Sequence, residues 1–233
     1  MCGRITMTYR DKLALAEELG VPPGQLPEDY KPRYNLAPTQ LHFFVTLERE
    51  DRVLYTARWG LIPSWSKDNK MAYRTINARA ETADTSPAFR AAFKRRRCLV
   101  PADGFYEWHG KKGDRQPYWF HRPDGKLIYF AGLFEPWFPE GKDKPPELTF
   151  TIVTTDANNY LGRIHNRMPV VLDQEAQEAW LFPGEANVPD LKALLKPAPD
   201  DALVARPVSK EVNNARNEGE ELLDEVVLDK PAY

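Results

Sequence analysis

The second residue of the chain is a cysteine, and its position gives it a chemistry that an internal cysteine lacks. A small second residue generally permits removal of the initiator methionine, so we expect a mature chain that begins with Cys2. Its thiol, with a pKa of ~8.5, and its α-amine, with a pKa of about 7.7–8.0, would then be nucleophilic near neutral pH. Such a 1,2-aminothiol condenses with an aldehyde to an imine, which the thiolate closes to a five-membered thiazolidine ring.

The same terminal group could instead attack an amide, with its own amine as the base. The position of Cys2 alone does not show whether it performs either reaction or is an ordinary second residue without a function. The other cysteine, Cys98, lies in the apolar run CLVP, which predicts a buried strand. Two cysteines exclude a disulfide framework and a four-cysteine zinc site, so we expect no metal.

Three further polar residues interrupt apolar or β-forming sequence: Glu107 in GFYEW, His165 in GRIHNRMPV and Asn77 in INARAE. Burial would raise the pKa of Glu107 and suit it to general acid–base catalysis, whereas a solvent-facing Glu107 would be ordinary. Histidine is a residue type suited to proton transfer, although a lone histidine such as His165 is more often structural. Asn77 offers a donor and an acceptor, and Arg79 offers a planar fork that fits a phosphate.

Short strands and scattered helices must position these residues. Residues 41–47 and 52–61 predict a β-hairpin, and residues 148–155 predict a buried strand. The two-residue period of a strand places Phe105 and Glu107 on one face. This mixture predicts an α+β fold with a curved, largely antiparallel β-sheet that forms a barrel-like core, and with short helices at its periphery.

The composition is that of a globular protein, with 42% hydrophobic and 28% charged residues among 233, which excludes a disordered or fibrous chain. We expect a single domain over residues 1–233, of which 220–233 form a peripheral tail. No apolar run approaches the ~20 residues of a membrane span, and the N-terminus MCGRITMTYR lacks the apolar centre of a signal peptide. We therefore expect a cytoplasmic protein that does not contact a membrane.

Charge is unevenly distributed along the chain. The formal net charge is -2, which by itself argues against nucleic-acid binding, but residues 58–122 carry 14 cations and 6 anions. Aromatic residues are interleaved with these cations, a combination that favours binding of a single-stranded nucleic acid. The alternative is that the cations of residues 94–97 are a solvated helix end and that most of the aromatic residues pack in the core.

Seven segments follow one another in the order of a known family. They are MCGR at 1–4, RYNLAPTQ at 33–40, RWGLIPSW at 58–65, INARAET at 76–82, RCLVPADGFYEW at 97–108, IHNRMPVVL at 164–172 and VNNARNEG at 212–219. Together they resemble the SOS response-associated peptidase (SRAP) family, which senses abasic sites in single-stranded DNA. The resemblance spans nearly the whole chain and implies the SRAP fold.

The resemblance implies a catalytic set of four residues. Cys2 would attack the C1′ aldehyde of a ring-opened abasic sugar, and the resulting thiazolidine would link the protein to DNA. Asn77 would orient the Cys2 end or the sugar by hydrogen bonds. Glu107 would carry protons during imine formation and its reversal, and His165 would act as acid or base on the sugar hydroxyl to assist ring opening.

The resemblance also implies a DNA-binding surface. Arg4, Arg79 and Arg167 would bind the phosphates that flank the lesion, and Trp65 would stack beside the unpaired base. Family members typically have two aromatic residues at this place, whereas Ser66 follows Trp65 here. The implied partner is single-stranded DNA that contains an abasic site, with no cofactor. We expect a minimal, bacterial-type monomer that associates with the nucleoid when it is bound to DNA.

The function implied by the resemblance is that of a lyase-like DNA-crosslinking enzyme that shields abasic sites in the DNA damage response. One alternative is a Cys2-dependent (auto)peptidase, in which His165 and Asn77 serve as base and orienting group. A second is a non-catalytic single-strand-binding module that depends only on the basic, aromatic segment. A structural or scaffold protein is the remaining alternative.

Overall fold

The computed structural model of the protein describes residues 2–111, 113–139, 143–182 and 187–228. Met1, whose removal we expect, and residues 229–233 of the predicted tail lie outside the described residues. The strands of the described part are β1 (Ile5–Met7), β2 (Arg33–Leu36), β3 (Leu41–Glu48), β4 (Asp51–Trp59), β5 (Asn77–Arg79), β6 (Arg97–Ala102), β7 (Gly104–His109), β8 (Gln116–His121), β9 (Ile128–Trp137), β10 (Glu147–Asp156), β11 (Arg167–Pro169) and β12 (Val204–Pro207). The α-helices are α1 (Lys12–Leu19), α2 (Arg90–Arg95), α3 (Gln174–Leu181) and α4 (Val188–Leu194).

Five strands close into a barrel because each of them pairs with two of the others. The predicted hairpin is confirmed as β3–β4, and β4 continues the barrel by parallel pairing with β10 at Thr149↔Arg58 and Phe150↔Trp59. From β10 the ring runs antiparallel through β9 and β6 and returns to β3. The short strands β5 and β11 extend β10 beyond the barrel. The expected α+β fold with a barrel-like core is therefore confirmed.

Large aromatic side chains fill one apolar cluster of the barrel. The rings of Trp59 and Phe150 stack with centroids 6.2 Å apart, and Phe44 stacks on Phe134 at 4.7 Å. Cys98 is fully buried in the same cluster, as its apolar run predicted. A side chain at Gly132 would meet the Cys98 sulfur at 2.8 Å, so only glycine permits this close approach of β9 to β6.

A second, antiparallel sheet carries the N-terminal cysteine. Its strand order is β12-β8-β7-β1-β2, so β1 lies between β7 and β2. The pairs Ile5↔Phe105 and Thr6↔Gly104 set the register of β1 on β7. The buried carboxylate of Asp103 accepts hydrogen bonds from the Thr6 hydroxyl at 2.5 Å and from the Thr8 backbone and hydroxyl. Asp103 therefore fastens the far end of β1 to the turn between β6 and β7.

The beginning of the predicted peripheral tail packs against this second sheet. Leu222 and Leu223 are buried, and Glu225 forms an antiparallel bridge with Val208. The 3₁₀ turn Lys210–Asn213 overlaps the start of the segment VNNARNEG, and the turn Glu220–Leu223 follows it. The C-terminal segment thus covers one face of the sheet that contains β1.

The basic run at residues 94–97 divides between two environments. Arg97 is buried, and its guanidinium donates to the carbonyls of Phe93, Lys94, Trp180 and Phe182 at 2.6–3.2 Å. It thereby satisfies the carbonyl ends of both α2 and α3. Arg96 pairs with the buried carboxylate of Glu135 at 2.6 Å. Neither a phosphate-binding face nor a solvated helix end describes Arg97, because its side chain is part of the core.

Replacing Arg97 should destabilise the fold. The variant Arg97→Met keeps the aliphatic stem but leaves four carbonyls without their charged donor, so we expect a loss of about 3 kcal/mol in the free energy of unfolding. Urea denaturation followed by tryptophan fluorescence measures this loss. The matched variant Lys94→Met, in an exposed neighbour, should change stability by less than about 0.5 kcal/mol. Equal effects of the two substitutions would show that Arg97 has no capping role.

Candidate active site

Cys2 lies just ahead of β1 and is fully buried in the apolar cluster that contains Ile5, Leu36 and Phe105. Burial raises the pKa of the Cys2 thiol far above its ordinary value, and the negative charge of Glu107 raises it further. The backbone N–H of Arg4 opposes this rise in the pKa of Cys2. The thiol of Cys2 is therefore protonated at neutral pH, with a carboxyl group as its neighbour.

Glu107 lies on β7 and is only 2% exposed. Burial raises the pKa of its carboxyl group, and the nearby His165 opposes this rise. Of the two environments that the sequence left open for Glu107, the structure has the buried one. A carboxyl with a raised pKa holds its proton closer to neutral pH and is suited to give it up and take it back.

His165 lies beside this carboxyl, just after the 3₁₀ turn Leu161–Arg163. Its Nε2 lies 4.0 Å from Glu107 Oε2, and its side chain is 26% exposed. Nδ1 of His165 lies 3.0 Å from the backbone nitrogen of Arg167 and 3.1 Å from its carbonyl oxygen, so the Arg167 backbone holds Nδ1 in either tautomer and Nε2 faces Glu107. The imidazole thus joins a buried carboxyl group to solvent.

Asn77 begins β5 and pairs in parallel register with Ile152 of β10. Its amide nitrogen donates to the carbonyl of Ile76 at 3.0 Å and approaches that of Ile152 at 3.5 Å. These contacts orient the side chain, and its Oδ1 is buried without a hydrogen-bond donor in the described part of the chain. A buried acceptor that lacks a donor is uncommon, and it marks a place where a ligand or terminal amine can bind.

Arg167 follows His165 by two residues and is almost fully enclosed, with 9% of its side chain exposed. Its guanidinium donates to the carboxylates of Glu81 and Asp156 at 2.6–3.0 Å and to the carbonyl of Thr154 at 2.7 Å. The predicted contact of Arg167 with a DNA phosphate therefore requires a phosphate to replace at least one carboxylate. In the structure, Arg167 fixes the segment whose backbone orients the His165 ring.

Arg4 is also engaged within the protein. Its Nη1 donates to Asn35 Oδ1 at 2.5 Å and to the Val212 carbonyl at 2.7 Å. Arg79, by contrast, is exposed on β5 and has no ion pair with the described residues. Of the three arginines that the sequence suggested as phosphate ligands, Arg79 alone presents its guanidinium to solvent, as far as the described residues show.

An exposed pair of aromatic side chains lies on the segment between β4 and β5. Trp65 is 60% exposed, as a stacking role requires, and Tyr73 is 72% exposed. The indole of Trp137 donates to the Ser66 carbonyl at 2.8 Å and packs with Ile62 and Ala72, which supports this segment from below. The sequence did not assign Tyr73 a place in the site, because solvent exposure cannot be read from residue type.

Neither a metal site nor a membrane helix emerges from the described residues. No group of three or more metal-binding side chains comes together in the described ranges. None of the helices found there is long and apolar enough to cross a membrane. The polar groups that gather at the site are thus the thiol of Cys2, the carboxyl of Glu107 and the imidazole of His165.

Comparison with known proteins gives consistent matches over the whole chain. A family model described as SOS response associated peptidase (SRAP) matches residues 1–215. Abasic site processing protein YoqW of Bacillus subtilis is 40% identical over 96% of this chain and 99% of its own. Abasic site processing protein HMCES of Xenopus tropicalis is 33% identical over 98% of this chain and 79% of its own. A crystal structure from Bacteroides thetaiotaomicron has the same fold, with a TM-score of 0.85 at 24% identity, covering 97% of this chain and all of that one.

The raised pKa of Glu107 predicts a pH-dependent cost to stability. Between the unfolded pKa of about 4.3 and the higher native pKa of Glu107, the native state binds more protons than the unfolded state. The free energy of unfolding of the wild type therefore falls as pH rises through this window. The variant Glu107→Gln removes the titration. The difference in free energy of unfolding between this variant and the wild type should not vary with pH below about pH 4. Through the window above it, the variant should gain up to about 1.4 kcal/mol per pH unit relative to the wild type.

Thermal or urea unfolding of both proteins from pH 4 to pH 8 measures this difference. The exposed variant Glu178→Gln on α3 is the control and should show no such trend. A Glu107→Gln difference that does not vary with pH would contradict a raised native pKa.

Proposed function

The chain belongs to the SOS response associated peptidase (SRAP) family, and on that premise we propose that it captures abasic sites in single-stranded DNA as a covalent thiazolidine at Cys2. Its relatives named abasic site processing proteins place its role in the handling of abasic sites in damaged DNA. The observation that carries the finer proposal is a fully buried Cys2 thiol next to the buried carboxyl of Glu107.

The proposed reaction has two bond-forming steps. After removal of Met1, the α-amine of Cys2 adds to the C1′ aldehyde of the opened sugar, and loss of one water gives an imine. The imine is protonated as the water leaves, and the Cys2 sulfur then adds to its carbon and releases the thiol proton, which closes the thiazolidine. One water leaves overall, and neither oxidant nor cofactor is required.

Glu107 and His165 would carry the protons of these steps. The protonated Glu107 carboxyl supplies the proton that the carbinolamine hydroxyl needs to leave as water, and it recovers a proton from the thiol as the ring closes. His165, with Nε2 4.0 Å from Glu107 and part of its ring exposed, assists opening of the sugar and exchanges protons with solvent. The buried Oδ1 of Asn77 would accept from the Cys2 amine or a sugar hydroxyl.

The environment of the thiol favours crosslinking over the peptidase alternative. A cysteine peptidase needs a thiolate, which requires a lowered thiol pKa, whereas burial and Glu107 raise that of Cys2. A thiol that stays protonated reacts second, after the amine has formed the imine. This site therefore suits a reaction in which the amine attacks first and the sulfur second. It does not suit peptide-bond cleavage, in which the sulfur would attack first.

The exposed groups near β5 support a single-stranded partner. Trp65 and Tyr73 offer faces on which unpaired bases can stack, and Arg79 offers an exposed cation for a phosphate. C1′ of a paired nucleotide is enclosed in the duplex, so a strand that reaches the buried Cys2 has to be unpaired and bent. Arg167 would contact a phosphate only if the phosphate replaced its ion pair with Glu81 or Asp156.

The proposal predicts a stable adduct that depends on Cys2. The wild-type protein, incubated with a single-stranded oligonucleotide that carries one abasic site, should give a species that survives denaturing electrophoresis and has the summed mass less one water. Cys2→Ala and Cys2→Ser both keep the α-amine and lack the sulfur. Neither should give this species, and each should give an imine adduct only after trapping with borohydride.

The matched control is Cys98→Ala, which removes the other buried thiol and should form the adduct like the wild type. Absence of an adduct with the wild type, or equal adducts with Cys2→Ala, would refute the proposal. Cysteine-dependent peptide cleavage without an adduct would identify the peptidase instead.

A further inference from the structure

The strand that bears the reactive end is short and lies at a chain terminus. β1 has three residues, and beyond its pairs with β7 a single backbone bond continues, from the Tyr106 N–H to the Arg4 carbonyl at 3.0 Å. Free termini fray unless other contacts hold them. A reaction that needs the Cys2 amine at the Glu107 carboxyl therefore needs something else to hold residues 2–4.

The two faces of the second sheet have different surroundings. Phe105 and Glu107 point to the face on which Cys2 is buried, whereas the neighbouring Tyr106 and Trp108 belong to another apolar cluster. The C-terminal segment adds Val208, Val212 and Leu223 to that cluster. The side chain of Arg4 lies on this covered face, because its partners are Trp108 and the Val212 carbonyl.

Residues 212–217, here called the clasp, bind both strands of the site from that covered face. The Arg4 guanidinium donates to the Val212 carbonyl at 2.7 Å and lies 5.8 Å from the centroid of the Trp108 ring. The Trp108 indole N–H donates to Asn213 Oδ1 at 2.7 Å. Arg4, Trp108 and the clasp thus form a closed cycle of contacts around the point where β1 meets β7.

Asn35 on β2 closes the cycle from the other side and is fully buried. Its Oδ1 accepts from Arg4, and its Nδ2 lies 2.9–3.3 Å from the carbonyls of Val212, Asn214 and Asn217. Both the carbonyl and the NH₂ group of the Asn35 side chain are therefore engaged. Asn35 therefore fixes Arg4 and the clasp relative to each other.

We propose that Asn35, Asn213 and Arg4 are positioning residues, through which the clasp holds Cys2 against Glu107 for the crosslinking reaction. This inference rests on the proposed function and adds to it a role for the segment VNNARNEG. Arg4 acts through the backbone of residues 2–4, from the face opposite Glu107, and not as a phosphate ligand. Loss of the clasp contacts slows the bond-forming steps, because alignment of the amine is lost, and leaves DNA affinity unchanged.

The test uses Asn213, which is exposed, so its substitution leaves the core intact. Asn213→Ala removes the acceptor of the Trp108 indole, and Asn213→Asp restores an oxygen at the same place. The crosslinking rate at saturating abasic oligonucleotide should fall about fivefold in the alanine variant and recover in the aspartate variant. The dissociation constant for an oligonucleotide with an unreactive tetrahydrofuran site should change by less than about twofold.

Lys210→Ala, two residues before the clasp, is the control. It breaks the exposed contact of Lys210 with Asp114 and should leave the crosslinking rate unchanged. Arg4→Met distinguishes positioning from phosphate binding: the salt dependence of tetrahydrofuran-oligonucleotide affinity should keep its slope, whereas loss of a phosphate contact would reduce the slope by about 0.7.

The outcomes separate this inference from the proposed function. A wild type without an adduct refutes the proposed function and the positioning role with it. A wild type that forms the adduct, with Asn213→Ala equally fast, overturns the clasp alone. An alanine variant that loses affinity for the tetrahydrofuran oligonucleotide and keeps its rate at saturation would show that the clasp binds DNA.

Discussion

Burial of the Glu107 carboxyl beside the Cys2 thiol is the constraint on which the rest of the site depends. Burial raises the pKa of both groups, and the charge of Glu107 raises that of the Cys2 thiol further. Both groups therefore keep their protons to a higher pH than they would in solvent. His165 connects these two buried groups to solvent, and the Arg167 backbone fixes the orientation of His165.

The fold satisfies this constraint because the barrel and the second sheet enclose the first residues of the chain. The barrel supplies β10, on which β5 and β11 place Asn77 and the segment next to His165. The second sheet supplies β7 with Glu107, and Asp103 fastens the far end of β1 to it. The clasp contacts Arg4 at the near end of β1 from the opposite face, and we propose that this contact makes residues 2–4 part of the scaffold.

Much of this arrangement could be predicted from the sequence, because local patterns specify it. The hairpin β3–β4, the buried strand β10 and the shared face of Phe105 and Glu107 follow from alternation and turn residues. The partners of the arginines could not be predicted. Arg97 and Arg167 are ordinary cations in the sequence, and only the folded chain brings distant carbonyls to Arg97 and distant carboxylates to Arg167.

The central claim is that the α-amine of Cys2 begins the reaction and that its thiol completes it. The most direct test is to compare crosslinking to an abasic single-stranded oligonucleotide by the mature protein and by a form that keeps one additional, uncleaved residue ahead of Cys2. The thiol, Glu107 and His165 are the same in both forms, and only the position of the free amine differs. A covalent adduct with the mature form alone is the predicted result, and an equally stable adduct with the extended form would contradict the claim.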